Sequence, residues 1–138
     1  MLSLQSTTKI SLDFYNQNMV CINAKQFDTN SRFIEVTCTE KGKKYVLNSD
    51  SITAFIRYQK ADGYYAFNKA NEITADGTAI FELTQQMLAV TDKTTADIMI
   101  IDTPDFSLET IADIEDIYQN GASIISTMSF YINITKFY

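Results

Sequence analysis

Residues 52–59, Ile52-Thr53-Ala54-Phe55-Ile56-Arg57-Tyr58-Gln59, alternate in two parities, with Ile52, Ala54, Ile56 and Tyr58 on one and Thr53, Phe55, Arg57 and Gln59 on the other. A period of two places successive side chains on opposite faces of an extended chain and marks a strand with a buried face. The branched and aromatic residues suit a pleated surface. This stretch runs into Asp62-Gly63 and then Tyr64-Tyr65-Ala66-Phe67. An Asp-Gly pair between such segments is a strong hairpin signal, because glycine enters the left-handed region cheaply.

The same period recurs on both sides. Lys9-Ile10-Ser11-Leu12-Asp13-Phe14 alternates, as do Val20, Ile22 and Ala24 against Asn23 and Lys25. Ile34, Val36 and Cys38 alternate with Glu35, Thr37 and Thr39, and Phe130, Ile132 and Ile134 with Tyr131, Asn133 and Thr135. Turns are expected at Lys41-Gly42-Lys43, at Asp76-Gly77 (leading from 72–75 into 78–83) and at Asn120-Gly121. Residues 96–101 are apolar on both parities, the pattern of a central strand covered on both faces.

Two segments depart from this period. Thr84-Gln85-Gln86-Met87-Leu88 reads as a single helical turn. Over 107–118, Leu108, Ile111, Ile114 and Ile117 or Tyr118 form one stripe, opposite Glu109, Asp113 and Asp116. Pro104 before it and Ser107 as an N-cap fit a helix start, with a long irregular strand as the alternative. No repeat, linker or alternating βαβ rhythm is present, which argues against a doubly wound nucleotide-binding fold. The expected architecture is one mainly β domain over 1–138. It is an antiparallel β-sandwich, jelly-roll or immunoglobulin-like in style, with one short helix around 107–118.

Composition excludes more functions than it suggests. At 138 residues with 46% hydrophobic content, the chain can bury a core without disulfides or metal. It contains no histidine, so Ser-His-Asp and Cys-His catalytic units and imidazole-ligated metals are impossible within it. With 11 Lys+Arg against 17 Asp+Glu the net charge is −6, and Lys41, Lys43 and Lys44 form the one basic cluster. Nucleic acid and anionic membrane surfaces, which need a dense basic face, are not expected partners. The longest wholly apolar run, Ile98–Ile101, is far below the roughly 20 residues that span a bilayer. Met1-Leu2-Ser3-Leu4-Gln5 lacks the features of a signal peptide, and Cys21 and Cys38 are expected to be free thiols.

Few residues offer chemistry. Asp28-Thr29-Asn30-Ser31-Arg32 begins like a calcium loop, but Arg32 occupies a ligand position and no glycine follows; a turn capped by Asp28 and Asn30 is the reading. Glu109, Asp113, Glu115 and Asp116 lie on the polar side of the expected helix, as a solvated face. Cys38 shares parity with Ile34 and Val36 and reads as a core residue, while Cys21 has no cation nearby to make it reactive. Asn133-Ile134-Thr135 matches a glycosylation acceptor but reads as strand. No catalytic, metal-binding or cofactor-binding residue is nominated, and an enzyme is not expected. The aromatics are the informative residues. Tyr64, Tyr65 and Phe67 crowd one hairpin, and Tyr131, Phe137 and Tyr138 crowd the C-terminal stretch; together they are the candidate interface.

Several motifs, taken in order, resemble the N-terminal domain family of the phage baseplate upper protein. They are 26–32 leading into Ile34 and Val36, 55–63 ending Lys60-Ala61-Asp62-Gly63, Leu83–Leu88, and Ile125–Ile132. The family often has proline where Ala61 stands, and its connection corresponding to 104–118 is usually shorter. The resemblance implies a tail baseplate module of phages and prophages of Gram-positive bacteria that docks a receptor-binding assembly onto the tail tip. It implies distal tail and receptor-binding proteins as partners, a homo-oligomer as an option, no cofactor, and a virion location after synthesis in the bacterial cytoplasm. Members usually continue into a helical linker and a distal domain, so 1–138 is either the N-terminal anchoring domain of a longer protein or a stand-alone version. A carbohydrate-binding sandwich that contacts the host cell directly is the alternative, with Tyr64, Tyr65 and Phe67 as a sugar platform.

Because no ligand cluster is legible, thermal unfolding in a chelator should match unfolding with calcium present. A shift of about ten degrees between the two scans would refute this.

Overall fold

The period-two runs become strands in the computed structural model, which describes residues 5–28, 31–59, 65–84, 87–89, 91–104 and 121–136. The strands are β1 (Ser6–Asp13), β2 (Cys21–Lys25), β3 (Arg32–Glu40), β4 (Lys43–Tyr45), β5 (Thr53–Gln59), β6 (Tyr65–Lys69), β7 (Glu72–Ile73), β8 (Ala79–Glu82), β9 (Asp92–Ile101), β10 (Ile124–Ser126) and β11 (Phe130–Thr135). One sheet has the order β1-β3-β8-β7, with β4 also on β3. The other has the order β2-β11-β9-β5-β6, with β10 also on β9. No helix occurs among the described residues, and the helix expected over 107–118 lies outside them.

The sandwich expected from the sequence is present, but its sheets are mixed. β1 pairs with β3 in parallel, Ser6 opposite Arg32 through Asp13 opposite Thr39, and β11 pairs with β2 in parallel. The cause is the path of the chain. From β1 it crosses to the other sheet as β2, runs back, and returns as β3 beside β1. Side-chain alternation is the same for parallel and antiparallel strands, so the sequence carried no trace of this. The hairpins at the turn signals are antiparallel: β3 with β4, β5 with β6, and β7 with β8.

Gly77 is required at its turn. Its φ is +83°, and a Cβ there would stand 2.4 Å from Val46 Cγ1 and 3.0 Å from Val46 Cα. The β3–β4 turn has two left-handed residues, Lys41 at φ 51° and Gly42 at φ 85°. Consecutive positive φ values match the right-handed strand twist of a two-residue hairpin, yet they suit Asn or Gly better than Lys. Leu88 N–H donates to the Thr84 carbonyl at 3.1 Å, the single turn expected there.

The core lies between the sheets. Leu12, Ile34, Val36, Cys38 and Phe81 from one sheet meet Ile56, Tyr58, Ile98, Phe130 and Ile132 from the other. Each fully buried large side chain contributes roughly 1.5–3 kcal/mol. β9 is the middle strand of its sheet and is covered on both faces, as its sequence implies. Ile98 and Ile100 join the main core, while Met99 and Ile101 join Phe55 in a second cluster on the outer face. Burial pushes the Cys38 thiol up to about 12. Cys21 is exposed, and both thiols are free.

Asp13 ties the end of β1 to three other segments. Its Oδ2 accepts the N–H of Tyr15 at 2.8 Å and of Asn16 at 2.7 Å. Its Oδ1 accepts the Thr39 hydroxyl at 2.7 Å and the Gly42 N–H at 2.8 Å. Its carbonyl accepts Met128 N–H at 2.9 Å, at the approach to β11 in the opposite sheet. Asn18 completes the knot, accepting Asp13 N–H and donating to the Met128 carbonyl. The Asn16 amide, then the Thr39 hydroxyl and the Gly42 and Tyr15 amides, hold this carboxyl well below the usual carboxylate range.

Two outcomes are expected. Alkylation of the native protein should modify Cys21 rapidly and Cys38 at least ~100-fold more slowly, because Cys38 reacts only from an opened state. Equal rates would contradict the buried core position. For Asp13 the folded pKa is depressed, so its contribution to stability is complete above the unfolded pKa of about 3.9 and is lost as pH falls below it. Asp13→Asn should lower stability at pH 7 and flatten the pH dependence between about pH 5 and 2. Parallel stability curves for the two proteins over that window would refute this role.

Candidate interaction surface

The outer face of the six-stranded sheet carries the residues of opposite parity to the core. Tyr131 on β11 lies opposite Cys21 on β2 and Thr95 on β9, and Thr95 lies opposite Gln59 on β5. One step along, Asn133 lies opposite Asn23 and Lys93, and its Nδ2 donates to Asn23 Oδ1 at 3.3 Å. Tyr131 is 42% exposed, while Phe130, Ile132 and Ile134 on the same strand are buried. The expected inward set of β11, Phe130, Ile132 and Ile134, is buried and Tyr131 is exposed, while Phe137 and Tyr138, expected on the outward face with it, lie outside the described residues.

Lys93 Nζ stands 4.2 Å from the centroid of the Tyr131 ring. A cation over a ring at this distance is attracted by the π face, by roughly 0.5–1 kcal/mol at an exposed site. It also covers one face of the ring, the kind of surface on which a pyranose would stack. The sheet turns apolar toward β6. Arg57 and Asp97, opposite one another in register, form a two-pronged pair (Nη2–Oδ2 2.5 Å, Nε–Oδ1 3.1 Å). Beyond them lie Phe55, Met99 and Ile101, with Phe67, Ala122 and Ile124 packed against them.

The six nominated aromatics thus separate. Tyr131 is an exposed ring on a sheet face, and Phe67 is half-buried against the outer cluster. Tyr65 pairs with Gln59 through the backbone of β6, but its side chain lies outside the description, as do Tyr64, Phe137 and Tyr138. Sequence reading did not select Lys93 or the Arg57–Asp97 pair, because their partners come from strands distant in the chain. Parity would have put Lys93 and Tyr131 on outward faces, but only the β9–β11 register brings them together.

The groups with shifted protonation are structural. Burial pushes Tyr58 up to about 12, its hydroxyl lying beside Asn68 and Thr84 without a hydrogen bond of ordinary length. Asp28 pairs with Arg32, whose Nε donates to Oδ2 at 2.8 Å, while Asn30 and the neighbouring amides that the expected capped turn involves lie outside the described residues. Among the described residues no group of three or more Cys, Asp or Glu side chains is placed to hold a metal ion. An open depression of about 330 Å³ beside β5 and β7 has Lys69 and Glu72 as its only ionisable lining groups, so it offers no carboxylate pair for acid–base work.

Comparison with known proteins agrees with this architecture. The chain is similar to a solved structure, the N-terminal domain of phage TP901-1 ORF48, with a TM-score of 0.67 and 16% sequence identity over 94% of this chain and 98% of that one. At that identity the likeness concerns the fold. No curated protein sequence matches the chain. The family model of the BppU N-terminal domain matches residues 6–136. With nearly the whole length matched, and with two sheets built as the fold requires, the chain belongs to the BppU N-terminal domain family, a family of phage baseplate structural proteins.

Proposed function

We propose that this domain docks a host-adsorption assembly onto the tail tip of a phage through protein–protein contacts and performs no catalysis. The domain is read as the N-terminal anchor of a longer baseplate protein, made in the bacterial cytoplasm and carried in the virion. The observation that carries the reading, beside family membership, is the outward face of the six-stranded sheet, where Tyr131 stands exposed among amide and hydroxyl side chains. A tyrosine offers a large rigid contact area with a polar tip at small entropic cost, which is why such rings are enriched at interfaces. Phe67 extends the same face, and Tyr64, Tyr65, Phe137 and Tyr138 belong to the proposed interface by their place in the sequence.

Isolated, the domain should be a monomer or a weak homo-oligomer by light scattering and should capture the distal tail protein of its own phage in a pull-down. Tyr131→Ala should weaken that capture about tenfold, the equivalent of about 1.4 kcal/mol, without loss of fold. A monomer that ignores every co-encoded tail protein yet binds cell-wall glycan would replace this reading with a carbohydrate-binding one.

A further inference from the structure

We infer that a second surface, the end of the sandwich organised by Asp13, is a docking site for an acidic protein segment bearing apolar anchors. This rests on the reading of the domain as a docking module but concerns a different face from the one that carries Tyr131. Large apolar side chains concentrate at this end: Met19 is 93% exposed, Tyr15 52%, Met128 43% and Tyr45 40%. The Asp13 knot draws Tyr15, Tyr45 and Met128 to this end, and Met19 follows Asn18 of the knot in sequence. The Asp13 carboxylate holds the Tyr15 amide, the Asp13 carbonyl and Asn18 hold Met128, and Phe14 packs edge-on against Tyr45 with ring centroids 5.5 Å apart. Exposed apolar side chains brought to one end of a domain mark interaction sites, and methionine adapts to varied apolar partners.

Charge selects the partner. Lys41, Lys43 and Lys44, the one basic cluster of a chain with net charge −6, edge this patch. The Arg32–Asp28 and Arg57–Asp97 ion pairs lie elsewhere. Glu40 faces Lys43 across the hairpin, and the Asp13 carboxylate is engaged by four hydrogen bonds, so cations outnumber carboxylates here. A complementary segment therefore carries carboxylates beside its apolar anchors.

Lys41 adds an independent sign. It holds φ at 51°, a region where Asn or Gly is cheaper, and the Asp13–Gly42 hydrogen bond pins the turn. Its Nζ lies 5.5 Å from the Tyr15 ring, so the unfavoured backbone sets a cation over the exposed aromatic. Strain retained in this way concentrates at functional positions. β1 begins and β11 finishes at the opposite end, near Ser31 and Gln26.

The test uses a fluorescent ten-residue peptide in which aspartates alternate with leucines and phenylalanines, titrated into the domain and read by anisotropy. Controls are the same peptide with lysines for aspartates, an all-polar acidic peptide, and phosphatidylglycerol vesicles. The acidic-apolar peptide should bind at least about tenfold better than either peptide control and should weaken as salt rises. Lys41→Asn should weaken binding about threefold or more while leaving the melting temperature equal or higher, a separation that a merely structural lysine would not give. Met19→Ser should weaken binding similarly, and Tyr131→Ala should leave it unchanged. Equal binding of the control peptides, or indifference to both Lys41→Asn and Met19→Ser, would overturn the proposal. Preferential binding of the vesicles would overturn it in favour of a membrane surface, and a dimer lost in those variants would make a second copy the occupant. Capture of the distal tail protein without peptide binding would remove this site and leave the wider reading standing. Peptide binding at this end without capture of any tail protein would do the reverse.

Discussion

One carboxylate holds the end of this sandwich together. Asp13 stands at the last residue of β1, where the chain must leave one sheet and cross to the other, and it accepts hydrogen bonds from the following turn, from β3 and from the β3–β4 hairpin. Charge-assisted hydrogen bonds of this kind are shorter and stronger than neutral ones. Through its own carbonyl and through Asn18 the same residue reaches Met128, which leads into β11 of the opposite sheet. Burial of an apolar core between two sheets stabilises the layers without regard to direction. The knot at the crossover adds directional hydrogen bonds that tie the two layers at this end.

The second constraint is the burial of β9 on both faces. A strand in a two-layer sandwich needs only one apolar face, and the outer one is ordinarily polar. β9 obeys this at its start, where Lys93 and Thr95 are exposed, and departs from it after Asp97, where Met99 and Ile101 are buried with Phe55. The outer face of this sheet thus divides into a polar, amide-rich half around Tyr131 and an apolar half toward β6. The Arg57–Asp97 pair marks the division. A charged pair at such a boundary is partly desolvated, so its two-pronged geometry contributes more to register than an exposed pair would.

These constraints give the domain surfaces of different chemistry. The outer sheet face presents an aromatic ring with a lysine over it among short polar side chains. The Asp13 end presents flexible methionines and tyrosines edged by lysines. The proposed docking role calls for more than one surface, and specificity between surfaces comes from shape and charge rather than from area.

The strands, their inward residues and the central place of β9 were legible in the chain, because alternation and two-sided apolarity are local consequences of how an extended backbone points its side chains. The turns at Gly42 and Gly77 were legible for the same reason, since positive φ is a local demand. The inward set on β11 and the core position of Cys38 followed from parity alone. What only the tertiary structure decided was pairing. The parallel β1–β3 and β2–β11 ladders, the seat of Lys93 over Tyr131, and the convergence of Tyr15, Tyr45 and Met128 all depend on which distant segment lies alongside. Side-chain alternation carries no record of a neighbour's direction or register, and Asp13, one polar position of an alternating run, reads in sequence as an ordinary strand residue. Its role exists only where residues 15, 16, 39, 42 and 128 come together in space.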